Sequence, residues 1–291
     1  MLQQPPLPAA IRLPSDFELQ RLERKHGRLW EPKAADPGRR CPTCLGKRQY
    51  QWYTNDRSAI DTWECRCEEQ YVLHRYLLSR GLGMSDMQIG WADMTAIPPL
   101  VMGFLGDYSE RVEAYVTRGI GMVLCGPHGT GKSSISHLFM RRLMVEGYDA
   151  YFIRFKPLLD LWRNIAYSKT ANADDSEWFT KRILNVQILV IDDLGKEYVS
   201  AASRESSTNE TEVASRLEDL LRLRNSASLP TFITTNEDIL TIGIKYGASV
   251  MEMIKERSKV CTVPGANFRD RYMESSMDEV SKGLSRPIVI G

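Results

Sequence analysis

The sequence predicts an α/β protein with a parallel sheet, and three observations lead to that prediction. A glycine-rich stretch, residues 126–133, lies between a strand-like and a helix-like segment. A second apolar run, residues 186–191, is followed by two acids and shows no alternation, as expected for a strand buried on both faces. Four cysteines in two close pairs precede both features. Together they indicate a nucleotide-binding sheet domain and a small metal-binding module.

Residues 126–133 fit the phosphate-loop pattern G-x-x-x-x-G-K-[S/T]. In such a loop, backbone N–H groups and the helix N-terminus bind a triphosphate. Lys132 is expected to contact the β- and γ-phosphates and Ser133 to bind Mg²⁺. A glycine-rich turn without a ligand is the alternative, and it leaves the partner motif below unexplained. The residues expected to bind ATP in this loop are Gly126, Pro127, His128, Gly129, Thr130, Gly131, Lys132, Ser133 and Ser134.

The partner motif, Walker B, is the run 186–193, which ends in Asp192 and Asp193. Asp192 is expected to hold Mg²⁺ together with Ser133, and Asp193 to polarise the attacking water. Asn236 follows another strand-like run, residues 230–235, and is expected to orient that water against the γ-phosphate. The alternative, acids that only cap a strand end, is weak once the phosphate loop is accepted.

Strand-like runs at residues 121–125, 148–155, 186–193, 230–235 and 260–263 make up a predicted five-stranded parallel sheet between helices. A helix is predicted over 108–118, and the tail from residue 277 is expected to be loosely ordered. We place an N-terminal module at residues 1–80 and the ATPase domain at residues 81–291.

The cysteine pairs form one C-x₂-C and one C-x-C knuckle, twenty residues apart, with a predicted β-hairpin between them. Four thiolates suit one tetrahedral Zn²⁺, and a module of this size has little core without a metal. Four reduced structural thiols are the alternative, mainly because the second knuckle is C-x-C. His74 could replace one ligand, but it lies within a predicted helix. The expected zinc ligands are Cys41, Cys44, Cys65 and Cys67.

Composition excludes several classes of function. The 291 residues carry a net charge of only +1, so nucleic-acid binding would need a local patch of cations. No apolar run is long enough to cross a bilayer, and the start lacks the pattern of a secretion signal. We therefore expect a cytoplasmic protein without a membrane partner, in which clustered cysteines bind metal rather than form disulfides.

The order of residues 126–133, 188–195, 234–236 and 268–269 resembles the AAA+ ATPases of the DnaC/DnaI helicase-loader type and the related IstB transposition ATPases. The resemblance covers roughly residues 85–275. The four cysteines resemble the zinc-bearing N-terminal module of loaders from phages and some bacteria. The resemblance implies a ring or spiral of identical subunits, with ATP bound between neighbours.

The resemblance also implies that a neighbour's arginine completes each site, supplied from the helix before the fifth strand. The expected position holds Met253, so Arg257, one helical turn later, is taken as this arginine finger and Lys255 as the substitute. A solvated cation at a helix end is the alternative for Arg257. Arg269 matches the sensor 2 arginine, which acts on its own subunit's γ-phosphate. Asp193 replaces the glutamate of many AAA+ proteins, and this shorter acid implies slow hydrolysis.

Initiator-type AAA+ proteins carry an extra helical wedge, and residues 157–182 have the matching place and size. Cations together with aromatic side chains suit single-stranded DNA. A core role for the tryptophans and a solvated face for the cations is the alternative. The candidates are Trp162, Arg163, Lys169, Trp178, Lys181 and Arg182.

The function that the resemblance implies is ATP-dependent delivery of a hexameric replicative helicase onto single-stranded DNA, with weak ATPase activity in the isolated chain. The cofactors are ATP, Mg²⁺ and Zn²⁺, and the zinc module contacts the helicase. Two alternatives remain open: an IstB-like ATPase that regulates a transposase on duplex DNA, and a nucleotide-switch adaptor in which hydrolysis is incidental.

Overall fold

The computed structural model describes residues 2–3, 7–32, 39–94, 96–167, 173–196, 207–265 and 267–290. The chain forms two compact units. Unit 1 comprises Met1–Asp93, Met144–Gly147 and Phe268–Gly291, and unit 2 comprises Met94–Leu143 and Tyr148–Asn267. The boundary expected after residue 80 stays a prediction. None of the helices among the described residues is both long and apolar enough to span a bilayer.

The strands and helices are numbered here in their order along the chain. In unit 1 they are β1 (Leu2–Gln3), α1 (Asp16–His26), β2 (Gln49–Tyr53), β3 (Ile60–Glu64), α2 (Cys67–Ser79) and α3 (Met84–Gln88). There follow α4 (Pro99–Glu110), α5 (Val112–Thr117), β4 (Gly121–Cys125), α6 (Lys132–Val145), β5 (Ala150–Arg154), α7 (Phe155–Tyr167), α8 (Ala173–Phe179), β6 (Ile188–Leu194), α9 (Ser207–Ser226), β7 (Thr231–Thr235), α10 (Ile239–Tyr246), α11 (Ala248–Arg257) and β8 (Ser258–Thr262). The last helix is α12 (Phe268–Ser281), again in unit 1.

Unit 2 contains a five-stranded sheet in the order β5-β6-β7-β4-β8. Every neighbouring pair of strands is parallel. The three inner strands are buried almost throughout, which explains why β4 and the first four residues of β6 are apolar without alternation. The predicted α/β fold class with a five-stranded parallel sheet is therefore confirmed.

A buried arginine fastens the starts of two neighbouring strands. Arg224 of α9 is fully buried, and its guanidinium donates to the carbonyl oxygens of Val186 at 2.9 Å and Pro230 at 2.7 Å. It also donates to Ile183 O at 3.1 Å, at the end of a π-helix over Thr180–Leu184. Burial lowers the pKa of Arg224 to about 9. The side chain thus joins the segment before β6 to the segment before β7.

Unit 1 is built around the hairpin of β2 and β3, whose strands are antiparallel, with β1 parallel to β3. Helix α1 begins with a capping box, in which Ser15 accepts from the Glu18 N–H and Glu18 accepts from the Ser15 N–H. The predicted hairpin between the cysteine pairs and the helix after them are both present.

The C-terminal tail differs from the loosely ordered segment that the sequence suggested. The Arg286 side chain in unit 1 is 9% exposed, donates to Glu279 at 2.6 Å and pairs with Asp93 at 3.0 Å. Ile288 exchanges two hydrogen bonds with the Gln70 side chain, at 2.9 Å and 3.0 Å. Asp93 and Gln70 lie more than a hundred residues before the tail in the sequence, so the composition of the tail could not reveal these contacts.

Two helices also differ from the predicted ones. The helix predicted over 108–118 is divided in the structure, since α4 ends at Glu110 and α5 begins at Val112. Helix α4 also begins earlier than predicted, at Pro99, where proline suits the first helical turn. Helix α10, after β7, was not predicted. Its start is capped by Asp238, whose carboxylate accepts from the Leu240 and Thr241 N–H groups.

Replacing Arg224 by methionine should destabilise unit 2 strongly, because several buried carbonyl groups would lose their donors. We expect a loss of about 3–5 kcal/mol in the free energy of unfolding, since one substitution breaks a whole buried network. Urea unfolding, with hydrogen exchange of the β6 and β7 amides, measures the change. Arg222→Met on the same helix is the control, because Arg222 is 61% exposed and should cost under about 0.5 kcal/mol. Equal stability of the two variants would contradict the role of Arg224.

Candidate functional site

The phosphate loop joins β4 to α6 in unit 2, in the strand–loop–helix arrangement that the motif requires. Gly126, Gly129 and Gly131 have φ angles of 145°, 78° and 88°, which L side chains rarely adopt. A Cβ on Gly126 would lie 2.4 Å from Val263 O, and one on Gly129 would lie 2.2 Å from Asn267 Oδ1. The glycines are therefore required both for the backbone conformation and for close packing of the loop.

Lys132 extends across the loop that contains it. Its side chain is buried, and Nζ donates to Gly126 O at 2.8 Å, to Pro127 O at 2.7 Å and to Asn236 Oδ1 at 3.0 Å. Burial, followed by repulsion from Lys196, lowers the pKa of Lys132. These three acceptors are uncharged oxygens, so the buried ammonium is not neutralised by its hydrogen-bond partners. This arrangement fits an anionic phosphate.

Asp192 lies at the carboxyl edge of the sheet and is 2% exposed. Its Oδ1 accepts from Thr234 Oγ1 at 2.6 Å, and its carboxylate also accepts a hydrogen bond from the Ser133 hydroxyl. Burial raises the pKa of Asp192, while those two hydroxyls act in the opposite direction. The two expected Mg²⁺ ligands, Ser133 and Asp192, are thus in contact, and their oxygen donors are the type that Mg²⁺ prefers. Arg154 Nε lies 3.8 Å from Asp192 Oδ2.

Asp193 adopts a left-handed backbone conformation with φ of 59°. The pairing of β6 with β7 shifts register between Ile191 and Leu194, so the strand is irregular at this residue. Side chains alternate between faces of a regular strand, and this irregularity breaks the alternation between the two adjacent acids. The Asp193 N–H donates to Thr234 Oγ1 at 3.0 Å. One hydroxyl therefore contacts both Walker B residues.

Asn236 follows β7 and contributes an amide to the same edge. Its Oδ1 accepts from Lys132, and its buried Nδ2 has no hydrogen-bond partner within the part of the chain that the structure describes. A buried donor without an acceptor is costly, which makes this amide suited to an oxygen of a ligand or a water. The structure thus brings together Lys132, Ser133, Asp192, Asp193 and Asn236, while their catalytic and binding roles stay predictions.

Sequence reasoning missed three residues at this edge: Arg154, Lys196 and Thr234. Thr234 precedes Asn236 by two positions, so its strand was identified but its hydroxyl was not assigned a role. Arg154 is the last residue of β5, opposite Asp192 in the pairing of β5 with β6. The ends of neighbouring parallel strands meet at one edge of a sheet, and this rule could have indicated Arg154 and Thr234 from the sequence.

The predicted arginine finger is held within its own chain. Arg257 ends α11, and its Nη1 donates to Arg118 O at 3.1 Å. Lys255 pairs with Glu252 at 3.2 Å, and Met253 packs against the core of unit 2. Arg269 lies on α12 in unit 1. A role for Arg257 in a neighbouring subunit, and the sensor 2 role of Arg269, stay predictions.

The candidates for DNA contact in the wedge divide into two groups. Trp162 is a member of the unit 2 core, Trp178 packs against it, and Arg182 is buried beside Asp149 at 3.3 Å. These three side chains have structural contacts, which favours the core interpretation for them. The other cations are Arg163 and Lys181, which are exposed, and Lys169, which lies outside the described residues.

The four cysteine sulfurs of unit 1 form one cluster, within 4.8 Å of one another. Cys41 Sγ lies 3.8 Å from Cys65 Sγ, and Cys44 Sγ lies 3.4 Å from Cys67 Sγ. Zn–S bonds of about 2.3 Å in a tetrahedron separate sulfurs by about 3.8 Å. The donor set and the spacing therefore fit a structural zinc site.

The cluster lies in an aromatic core that includes Trp30, Tyr50 and Trp63. The side-chain hydrogen bond with Cys65 lowers the pKa of Cys41 to about 5. His74 lies outside the cysteine cluster and against the Trp30 ring at 5.8 Å, and burial lowers its pKa to about 4. The expectation that His74 is a helix residue rather than a ligand agrees with this position.

Cys44→Ser should remove one zinc per chain and unfold much of unit 1, because the metal supplies folding free energy to a small core. Zinc content is measured by atomic emission, and unfolding by tryptophan fluorescence, since Trp30, Trp52, Trp63 and Trp91 all belong to unit 1. Cys125→Ser, at a buried thiol outside the cluster, should keep the zinc. Purified protein without zinc, with all four thiols titrating freely, would overturn the site.

No protein-family model matches the chain, and no curated protein matches its sequence. Solved structures do resemble the fold. The DnaC helicase loader is 18% identical with a TM-score of 0.48, over 62% of this chain and 99% of that one. DnaI is 22% identical with a TM-score of 0.47, over 65% and 94% of the respective chains.

Domain III of the replication initiation protein DnaA from Thermotoga maritima is 16% identical with a TM-score of 0.47, over 69% of this chain and 77% of that one. DnaC and DnaI, the proteins that the motifs resemble, are thus both among the solved structures that these comparisons found. The strand order, the phosphate loop and the Walker B strand of unit 2 define an α/β fold with a five-stranded parallel sheet, and unit 1 contains the four-cysteine cluster.

Proposed function

We propose that this protein is an ATP-dependent loader that delivers a hexameric replicative helicase onto single-stranded DNA. One observation carries the ATPase part of the proposal: Lys132, Ser133, Asp192, Asp193 and Asn236 converge at one edge of the sheet. The four-cysteine module, together with the resemblance of the motifs to loaders, supports the helicase part.

The roles of the residues follow from their contacts. Bound ATP and Mg²⁺ supply the phosphoryl group and most of the charge neutralisation. Lys132 binds phosphate oxygens, and Ser133 and Asp192 hold the metal. Asp193 accepts a hydrogen bond from the attacking water and then its proton, while the Asn236 amide donates to an oxygen nearby. Placing the water in line with the γ-phosphate is the main task, because there is little covalent chemistry for the protein to perform.

In the proposed cycle, unit 1 contacts the helicase and copies of unit 2 assemble with ATP between neighbours. Each copy lends Arg257 to the adjacent site, and hydrolysis releases the loader. With a net charge of +1, general attraction to DNA is weak, so binding depends on a few placed cations.

A nucleotide-switch adaptor is the second candidate, and one observation favours it. Asp193 is a short acid that pairs with Lys196, which is compatible with slow hydrolysis. Co-purification of the full chain with a hexameric helicase tests the loader against its rivals. If helicase capture requires bound ATP but is unchanged when hydrolysis is blocked, the adaptor is favoured. If the chain captures a transposase instead of a helicase, the IstB-like alternative is favoured.

Lys132→Ala should weaken ATP binding about 10- to 100-fold, because it removes charge-assisted phosphate contacts. Asp193→Asn should keep ATP affinity and lose turnover about 100-fold or more. Binding of a fluorescent ATP analogue and release of phosphate measure the two effects. Lys259→Ala, an exposed lysine on β8, is the control for the loss of one positive charge. Turnover by Asp193→Asn at the parent rate would exclude Asp193 as the water-activating group.

Arg257→Ala should bind ATP normally but lose stimulation by helicase and single-stranded DNA. An arginine finger contributes about three to five powers of ten in rate in other phosphate-loop enzymes. Mixing Arg257→Ala with Lys132→Ala subunits should recover part of the activity, because one variant lends its arginine to the other's intact site.

Lys255→Ala in the same mixing experiment is the matched variant. Mixed assemblies that form and recover activity only with Lys255→Ala would assign the finger to Lys255. If neither mixture recovers activity, the shared site itself is contradicted.

A further inference from the structure

A lysine contacts the carboxylate that is expected to activate water. Lys196 Nζ lies 2.6 Å from Asp193 Oδ1. The Lys196 side chain is 32% exposed and that of Asp193 is 29% exposed, so the pair is partly shielded from solvent. Neither the phosphate-loop motif nor the Walker B motif assigns a role to this lysine.

The backbone around the pair makes a tight turn, residues 193–196, which we name the β6 turn. Asp193 and Gly195 have φ angles of 59° and 100°, and the Lys196 N–H donates to Asp193 O at 3.2 Å. From α10, Lys245 Nζ donates to Gly195 O at 2.8 Å. The turn is therefore held by the Lys196 side chain from within and by Lys245 from a neighbouring helix.

Stability alone does not account for the ion pair. Partly exposed ion pairs contribute between about 0 and 1 kcal/mol to folding. The left-handed conformation of Asp193 itself costs about 1 kcal/mol or more. A strained residue and its cation at the same sheet edge as Lys132 and Asn236 is an arrangement typical of functional sites rather than of stabilising surface pairs.

The ion pair with Lys196 restricts the direction in which the Asp193 carboxylate points. A carboxylate that rotates freely presents either oxygen in many directions, whereas one oxygen bound to an ammonium fixes the direction of the other. Phosphoryl transfer depends more on placing the water than on the strength of the base, because the transition state is loose. A cation on one oxygen therefore costs less in basicity than it contributes in positioning.

We propose that Lys196 is a positioning residue, whose ammonium holds Asp193 Oδ1 so that Oδ2 faces the attacking water. This inference rests on the proposed ATPase activity. Lys196 acts through Asp193 and makes no required contact with the nucleotide. The opposite hypothesis, that Lys196 restrains Asp193 as a brake, predicts faster hydrolysis when the lysine is removed.

The test compares Lys196→Ala and Lys196→Arg in the full chain, with Lys259→Ala as the charge control. Lys196→Ala should lower kcat about 10- to 100-fold, since small misplacements of a reacting group have effects of this size. KM and the affinity for a fluorescent non-hydrolysable ATP analogue should change much less than kcat, because the Lys196 ammonium is paired with Asp193 even though its charge also acts on Lys132. Lys196→Arg should restore most of kcat, as a cation that can still reach Asp193.

Two further measurements separate positioning from a merely structural role. Hydrogen exchange without nucleotide should speed up in the β6 turn of Lys196→Ala while strand β6 stays protected. In the Asp193→Asn background, Lys196→Ala should cause no further loss of kcat, because the two residues act as a unit.

The outcomes are distinguishable. An unchanged or raised kcat in Lys196→Ala overturns the proposal, and so does a loss of ATP affinity as large as the loss of kcat. An additive loss in the double variant overturns it as well. If Asp193→Asn itself hydrolyses ATP at the parent rate, the proposed function fails first, through Asp193 rather than through Lys196.

Discussion

The hydrogen bonds of the buried Arg224 guanidinium join the starts of β6 and β7, and the candidate site depends on how these two strands lie. A charged side chain that is buried away from water must donate its hydrogen bonds to groups of the protein. Here backbone carbonyl oxygens accept the hydrogen bonds of the guanidinium. The strands that it fastens end in the Walker B acids and in Asn236. A structural contact at one edge of the sheet therefore helps to hold the strands that carry the candidate site at the other edge.

At that other edge, a single hydroxyl links the parts of the site. Thr234 donates to Asp192 and accepts from the N–H of Asp193, so it determines the spacing between the two acids. The pairing of β6 with β7 is irregular at these acids, so their side chains do not follow the alternation of a regular strand. Lys196 then orients the second acid in the proposal above. Each of these contacts is made within unit 2.

The cysteine hairpin of unit 1 poses a different physical problem, because a short hairpin has little apolar core of its own and a bound metal can supply folding free energy. Its four clustered thiols offer a metal site, and aromatic side chains pack around them. The C-terminal segment adds a buried ionic network through Arg286, Asp93 and Glu279. Residues from both ends of the chain thus complete one unit.

The sequence by itself determined the features that depend on neighbouring residues. Each of these features depends on residues only a few positions apart, so a short stretch of sequence is enough to identify it. They are the phosphate loop, the cysteine knuckles, the apolar strands and the capping box at Ser15. Only the tertiary structure decided the left-handed turn at Asp193, the contacts of Thr234 and Arg224, and the packing of the tail. Several of those contacts join residues that are far apart in the sequence, up to 218 positions for Gln70 and Ile288, and no local pattern encodes which distant groups will meet.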